Sequence, residues 1–262
     1  MKLSFLIWNI HGASNYKTYR MPDFVANRIL NAEKDIVILT EFIRNSTWEE
    51  ISKKFSKTYW IYSYPIESRH CNEILIMVKK DIRITENNND MESIKPELLK
   101  GNANNPNFLQ IKISEHHKSI YIIGVRLRYD DYPSQIKILN DYFSHLPDDA
   151  CIICGGDFNA WPRFIRENLP KLKVNTPKFS MEKDDFQSLS TWSAVLKGED
   201  GKTSKAIIDH ILTRNISEIA LEDYAWDFVT FNNGYGQRGV DEYKSDLSFL
   251  PDHGILSGVL TI

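Results

Sequence analysis

No stretch of this 262-residue chain is apolar for long enough to cross a membrane as a helix, which takes about 20 such residues in a row. Cysteine is scarce. Cys71, Cys151 and Cys154 cannot all pair with one another, so no disulfide framework exists and a reducing, cytoplasmic setting is expected. Cys151 and Cys154 form a CxxC, a spacing that can mean redox chemistry or metal binding. Three apart on a strand, however, their thiols point to opposite faces, so two buried structural cysteines are expected instead. Charge of one sign is also lacking: the net charge of −3 argues against a protein that holds nucleic acid mainly by electrostatics. It leaves room for a catalytic cluster of carboxylates, or for a local basic groove inside a near-neutral total. There is no tandem repeat, coiled coil, P-loop or dinucleotide fingerprint. The apolar start, Met1 to Trp8, is short and is followed by Asn9 and His11, so it reads as a first strand rather than a leader.

What is present is an ordinary globular composition, 42% hydrophobic and 26% charged, sufficient for a sizeable core in one large domain or two smaller ones. The richest stretch is Ala150 to Ala160. An apolar run bounded as a buried strand meets Gly155 and Gly156, then Asp157 and Asn159, which point the same way in extended chain. Open α/β sheets place ligands beyond the carboxyl ends of such strands; a polar turn is the plainer reading of the stretch taken alone.

The same pattern recurs. Leu3–Trp8 ends at Asn9, and Ile36–Thr40 lands on Glu41. Ser119–Leu127, the second strand of a hairpin begun at Phe108, ends beside Arg126 and Arg128. Ala206–Leu212 reads as one buried strand carrying Asp209 and His210, and a carboxylate among isoleucines is costly unless paired. His210 should face away from Asp209 and pack in the core. Asp252 and His253 precede a terminal strand, Ile255–Leu260. Helical spacing predicts helices over 22–32, 46–55, 133–146 and 161–169. The segments 87–107, 170–190 and 232–246 read as loops, and a further strand is expected over 219–229.

In order, Trp8-Asn9, Thr40-Glu41-Phe42, Gly156-Asp157-Phe158-Asn159-Ala160, Ile208-Asp209-His210-Ile211 and Asp252-His253-Gly254 resemble the motifs of the endonuclease/exonuclease/phosphatase superfamily, which shares the deoxyribonuclease-I-like fold. They run from near the first residue to near the last. The resemblance implies one α/β domain over residues 1–262, a four-layer sandwich of two mixed β-sheets packed face to face with helices outside. It implies an enzyme that cleaves phosphodiester bonds with Mg²⁺ or Mn²⁺, held by Glu41 with Asn9 beside it and Asp252 direct or through water. It also implies that Asp157 activates the water, Asn159 donates to a phosphoryl oxygen, and His253, oriented by Asp209, contacts phosphate or shuttles a proton.

One position departs from that pattern. Where the deoxyribonuclease branch has a second histidine, this chain has Arg126, and Glu73 takes the place of that histidine's glutamate partner. Arginine keeps its proton and cannot be a general acid, but it can bind a phosphoryl oxygen. A Glu73–Arg126 ion pair is therefore expected at the rim of the site, with a purely structural bridge as the alternative. The expected substrate is nucleic acid, with no membrane span and no obligate protein partner. Inositol phosphates, lipids or other small phosphoesters are the second reading, and a catalytically silent binding module the third.

Overall fold

The computed structural model describes residues 1–10, 23–42, 48–63, 73–82, 107–115, 118–177, 189–197, 203–226 and 252–262. Cys71, His11 and most of the three expected loops lie outside the described residues. The elements in chain order are β1 (Lys2–Asn9), α1 (Asp23–Ala32), β2 (Ile36–Phe42), α2 (Trp48–Phe55), β3 (Tyr59–Ser63), β4 (Glu73–Lys79), β5 (Asn107–Glu115) and β6 (Lys118–Arg126). There follow α3 (Tyr132–His145), β7 (Cys151–Asp157), α4 (Pro162–Asn168), β8 (Lys173–Asn175), β9 (Ala194–Lys197), β10 (Thr203–Ala206), β11 (Asp209–Arg214), β12 (Glu218–Leu221) and β13 (Leu256–Thr261).

Two mixed sheets carry the fold, in the orders β12-β13-β1-β2-β4-β3 and β5-β6-β7-β11-β8, with a small β9–β10 ribbon. β1 and β2 run parallel in the first sheet, and β6 and β7 run parallel in the second. Strand alternation explains how both faces of the second sheet are buried. Ile120, Ile122, Cys151, Ile153 and Ile211 join the core shared with Phe5, Ile7 and Ile38 of the first sheet. Their neighbours Ile123, Val125, Ile152, Cys154 and Leu212 instead join Ile136, Leu139, Phe143 and Ile165 of α3 and α4. The two cysteines thus lie on opposite faces, both buried and free, and burial pushes the Cys154 thiol well above its ordinary value.

The glycines of the β7 exit serve packing before chemistry. A Cβ on Gly155 would lie 2.3 Å from Ile7 Cδ1 of the facing sheet, so this residue lets the two sheets close up. Gly156 has φ +148°, and a Cβ there would meet the Val125 carbonyl oxygen at 1.9 Å.

Three expectations are corrected. The strand expected over 206–212 is broken: β10 ends at Ala206 and β11 begins at Asp209. The interruption is held by Ser193, whose Oγ accepts the backbone N–H groups of Ile208 and Asp209 at 2.7 and 3.1 Å. Within the expected loop 170–190, Lys173–Asn175 forms β8, because it completes the edge of β11, and Asn175 Nδ2 donates to Ile211 O and Thr213 Oγ1. Of the strand expected over 219–229, β12 covers Glu218–Leu221 and residues 222–226 are not strand, while 227–229 lie outside the described residues.

Candidate active site

The strand parities that bury the isoleucines between the sheets also aim polar residues into one end of that layer. Asn9 shares a face with Ile7, Asp157 with Gly155, and Asp209 with Ile211. Asp209 and Asp157 are register partners across β11 and β7, and Arg126 and Asp157 across β6 and β7. Glu41 reaches the same end by a different device. The β2–β4 register shifts between Leu39 and Phe42, and Glu41 sits there at φ 52°. Such a bulge re-aims a side chain that regular pleating would send elsewhere.

Direct bonds then join the group. Asn9 Nδ2 donates to Glu41 Oε1 at 3.3 Å and to Asp157 Oδ2 at 3.1 Å, and lies 3.4 Å from His253 Nε2. His253 Nδ1 is 2.7 Å from Asp209 Oδ2, while Trp8 Nε1 donates to the His253 carbonyl at 2.9 Å. The Tyr224 hydroxyl donates to the Asp209 carbonyl at 2.8 Å. Nothing in the sequence points to Ser193 and Tyr224, because a serine and a tyrosine far along the chain carry no local signal of such a role.

The electrostatics follow from burial. Asp157 is 1% exposed. Desolvation raises its carboxyl from 3.8 to about 7; His253 and Arg126 pull it down, while Asp209 and Glu41 push it up. Burial alone would lower His253, but Asp209, through its charge and its hydrogen bond, helped by Asp252 and Asp157, lifts it to about 10. His210 lies on the other face, Nε2 at 2.8 Å from Ala160 O, and burial drives it down to about 4. It is a core residue, as is Trp192, 7% exposed.

Two residues sit differently from expectation. Asn159, at φ 46°, spends its amide on Asp157 Oδ2 at 3.0 Å and Leu127 O at 2.8 Å, and its backbone N–H on Asp157 Oδ1 at 2.9 Å. In this arrangement it orients Asp157. Arg126 pairs with Glu41, its Nη2 and Nε at 2.7 and 2.9 Å from Oε1, a partner that the expected Glu73–Arg126 pair did not include. Glu73 opens β4 opposite Phe42, and its side chain lies outside what is described. The bulge brings Glu41 to the arginine, and nothing in the spacing announces a bulge.

Glu41, Asn9 and Asp252 offer the oxygen donors that hard cations take. Among the described residues no group of three or more His, Cys, Asp or Glu could hold an ion. A hard cation such as Mg²⁺ can be held through one or two carboxylates, with water and substrate oxygens completing its shell. The residues present fit the ion, with the guanidinium of Arg126 as its rival for Glu41.

The pair of mixed sheets packed face to face is similar in fold to a protein from Beutenbergia cavernae described as an endonuclease/exonuclease/phosphatase, 12% identical, with 100% of this chain and 72% of that one covered at a TM-score of 0.55. The chain is also similar to TDP2 of Caenorhabditis elegans, 15% identical, covering 100% of this chain and 98% of that one at a TM-score of 0.68. TDP2 of D. rerio, solved with a single-strand DNA product, is 15% identical and covers 100% and 99% at 0.63. No protein-family model matches the sequence, and neither does any curated protein.

Proposed function

We propose that the protein is a Mg²⁺- or Mn²⁺-dependent phosphodiesterase that hydrolyses the backbone of DNA or RNA, acting as one domain over residues 1–262 in a reducing, cytoplasmic setting. The observation that carries this reading is the Asn9–Asp157–Asn159 and Asp209–His253 network, which holds a carboxylate near pKa 7 beside an imidazole near 10. Such a pair of groups divides the labour of proton removal and proton delivery. The D. rerio protein of the same fold was solved with a single-strand DNA product, which favours nucleic acid over small phosphoesters. No described helix is long and apolar enough to cross a membrane.

In this mechanism Asp157, held by Asn9 and Asn159, takes a proton from the attacking water as its oxygen bonds to phosphorus. The ester bond on the opposite side breaks, and His253 Nε2 delivers a proton to the departing oxygen while Asp209 stabilises the imidazolium at Nδ1. Arg126 neutralises charge on a phosphoryl oxygen. Glu41, Asn9 and Asp252 would hold the metal ion, which polarises a phosphoryl oxygen when bound.

The test challenges purified protein, with Mg²⁺, against plasmid DNA, single-stranded DNA, RNA and inositol phosphates, using Asp157→Ala as the control. Cleavage of nucleic acid that EDTA abolishes is expected. A wild type no better than the control on every substrate would end the enzymatic reading for this panel, and cleavage of inositol phosphates alone would replace the substrate class.

The Arg126–Glu41 pair makes a separate prediction. Net bonds to charged groups are worth ~1.5 kcal/mol or more, so removing the rival should tighten divalent binding roughly tenfold. Calorimetric titration of Mn²⁺ into Arg126→Gln should therefore give a lower Kd than wild type, with the rate on phosphodiesters reduced. Equal or weaker Mn²⁺ binding would show that Arg126 supports the ion's site instead of competing for it.

A further inference from the structure

Five large apolar side chains stand exposed among the described residues: Met1, Trp60, Tyr129, Trp161 and Val259. Trp60 lies on edge strand β3 with the Lys80 ammonium 4.8 Å from its ring centre. Met1 precedes β1, and Val259 is an outward position of β13. Tyr129, 76% exposed, and Trp161, 52% exposed, are placed differently. Each comes two residues after one that shapes the catalytic end of the sheet, Leu127 and Asn159.

Those two residues are joined. Leu127 N donates to Asp157 O at 2.9 Å and Asn159 Nδ2 to Leu127 O at 2.8 Å, so the two loops leave the sheet side by side. Both loops are braced. Arg128 N donates to Oε1 of the buried Gln135 at 2.8 Å, Pro162 begins α4 directly after Trp161, and the rings of Tyr132 and Phe164 meet edge to face at 5.3 Å between α3 and α4. Neither exposed ring has a ring, cation or hydrogen-bond partner among the described residues.

Isolated surface aromatics need no explanation. Two of them stand on braced, adjoining loops, each two residues along the chain from a residue bonded to Asp157 or Asn159. Every base has a π-face, so stacking tolerates any sequence, but a duplex hides those faces. We propose that Tyr129 and Trp161 stack the bases of an unpaired strand and so make single-stranded nucleic acid the substrate. This inference rests on the phosphodiesterase reading and narrows it.

The test separates the two. In EDTA, wild-type protein is titrated by tryptophan fluorescence with a single-stranded 12-nucleotide DNA, its duplex, and an abasic deoxyribose-phosphate chain of the same length. The expected result is quenching by the single strand, with a Kd at least about tenfold below those of the duplex and the abasic chain, the size one stacked base supplies. Trp161→Ala and Tyr129→Ala should each lose most of that difference. With Mg²⁺ they should raise KM for the single strand about tenfold while leaving the rate on methyl p-nitrophenyl phosphate unchanged. Equal binding of single strand and abasic chain by the wild type, or unchanged Kd in both variants, would overturn the stacking role. Absence of EDTA-sensitive hydrolysis of the small diester would count against the enzymatic reading, while the binding comparison decides the rings by itself.

Discussion

Asp157→Asn is expected to lower kcat by about 10³-fold on whatever phosphodiester the protein cleaves, within the range that loss of a positioned general base produces. Its carboxylate accepts bonds from Asn9 Nδ2, Asn159 Nδ2 and the Asn159 backbone N–H, so the substitution keeps the side chain's size, removes the acid–base function and gives up at least one of these bonds at every pH, since the new amide nitrogen cannot accept. A stability signature should accompany the loss. Burial raises the folded-state pKa from 3.8 to about 7, so between those values the folded protein binds more protons than the unfolded chain. Stability then falls with rising pH through that window, and above it the ionised, buried carboxylate weighs on the fold in full. An asparagine carries no such penalty. Measured in EDTA, the melting temperature of the variant relative to wild type should be more favourable at pH 8 than at pH 4. A pH-independent difference, or a kcat within tenfold of wild type, would refute the assignment of Asp157 as a desolvated base.

Much of this site was legible because alternation converts sequence position into direction. Asn9, Asp157 and Asp209 end or begin buried strands on the same parity as apolar residues that face the opposing sheet, so convergence follows once those strands are paired. His210 was legible for the same reason, one residue out of phase. The illegible parts all rest on local breaks of alternation or on contacts between distant segments. Glu41 meets Arg126 only because a bulge turns it, at φ 52°, and the spacing of Thr40-Glu41-Phe42 contains no sign of that. The interruption between β10 and β11 depends on Ser193, more than a dozen residues away, supplying acceptors that the ladder would otherwise have supplied. Three-residue β8 is too short to carry any period at all. Extended chain would aim Asn159 the same way as Asp157; its left-handed conformation instead turns its amide onto Asp157 Oδ2, which no spacing announces.

Asp209→Asn should be nearly as damaging as loss of the base, about 10²- to 10⁴-fold in kcat, through its effect on His253. The Asp209 main chain is held independently, by Ser193 at its N–H and the Tyr224 hydroxyl at its carbonyl, so the substitution changes charge more than position. An asparagine oxygen can still accept from His253 Nδ1, preserving the tautomer. What it removes is the charge that, against the lowering effect of burial, lifts His253 from 6.5 to about 10. A buried imidazolium without its carboxylate is expensive, so the variant should hold His253 neutral. For a group whose folded pKa is raised, the stabilisation is complete below the unfolded value near 6.5 and is lost as pH rises through about 10. The stability advantage of wild type over the variant, in EDTA, should therefore be larger at pH 6 than at pH 10. Catalysis should follow the same proton: wild type keeps a protonated His253 well above neutrality, whereas the variant's rate should fall away on the alkaline side at a pH lower by two units or more. An unchanged alkaline limb with reduced kcat would mean that Asp209 only positions the ring, and that the proton reaching the leaving oxygen comes from elsewhere.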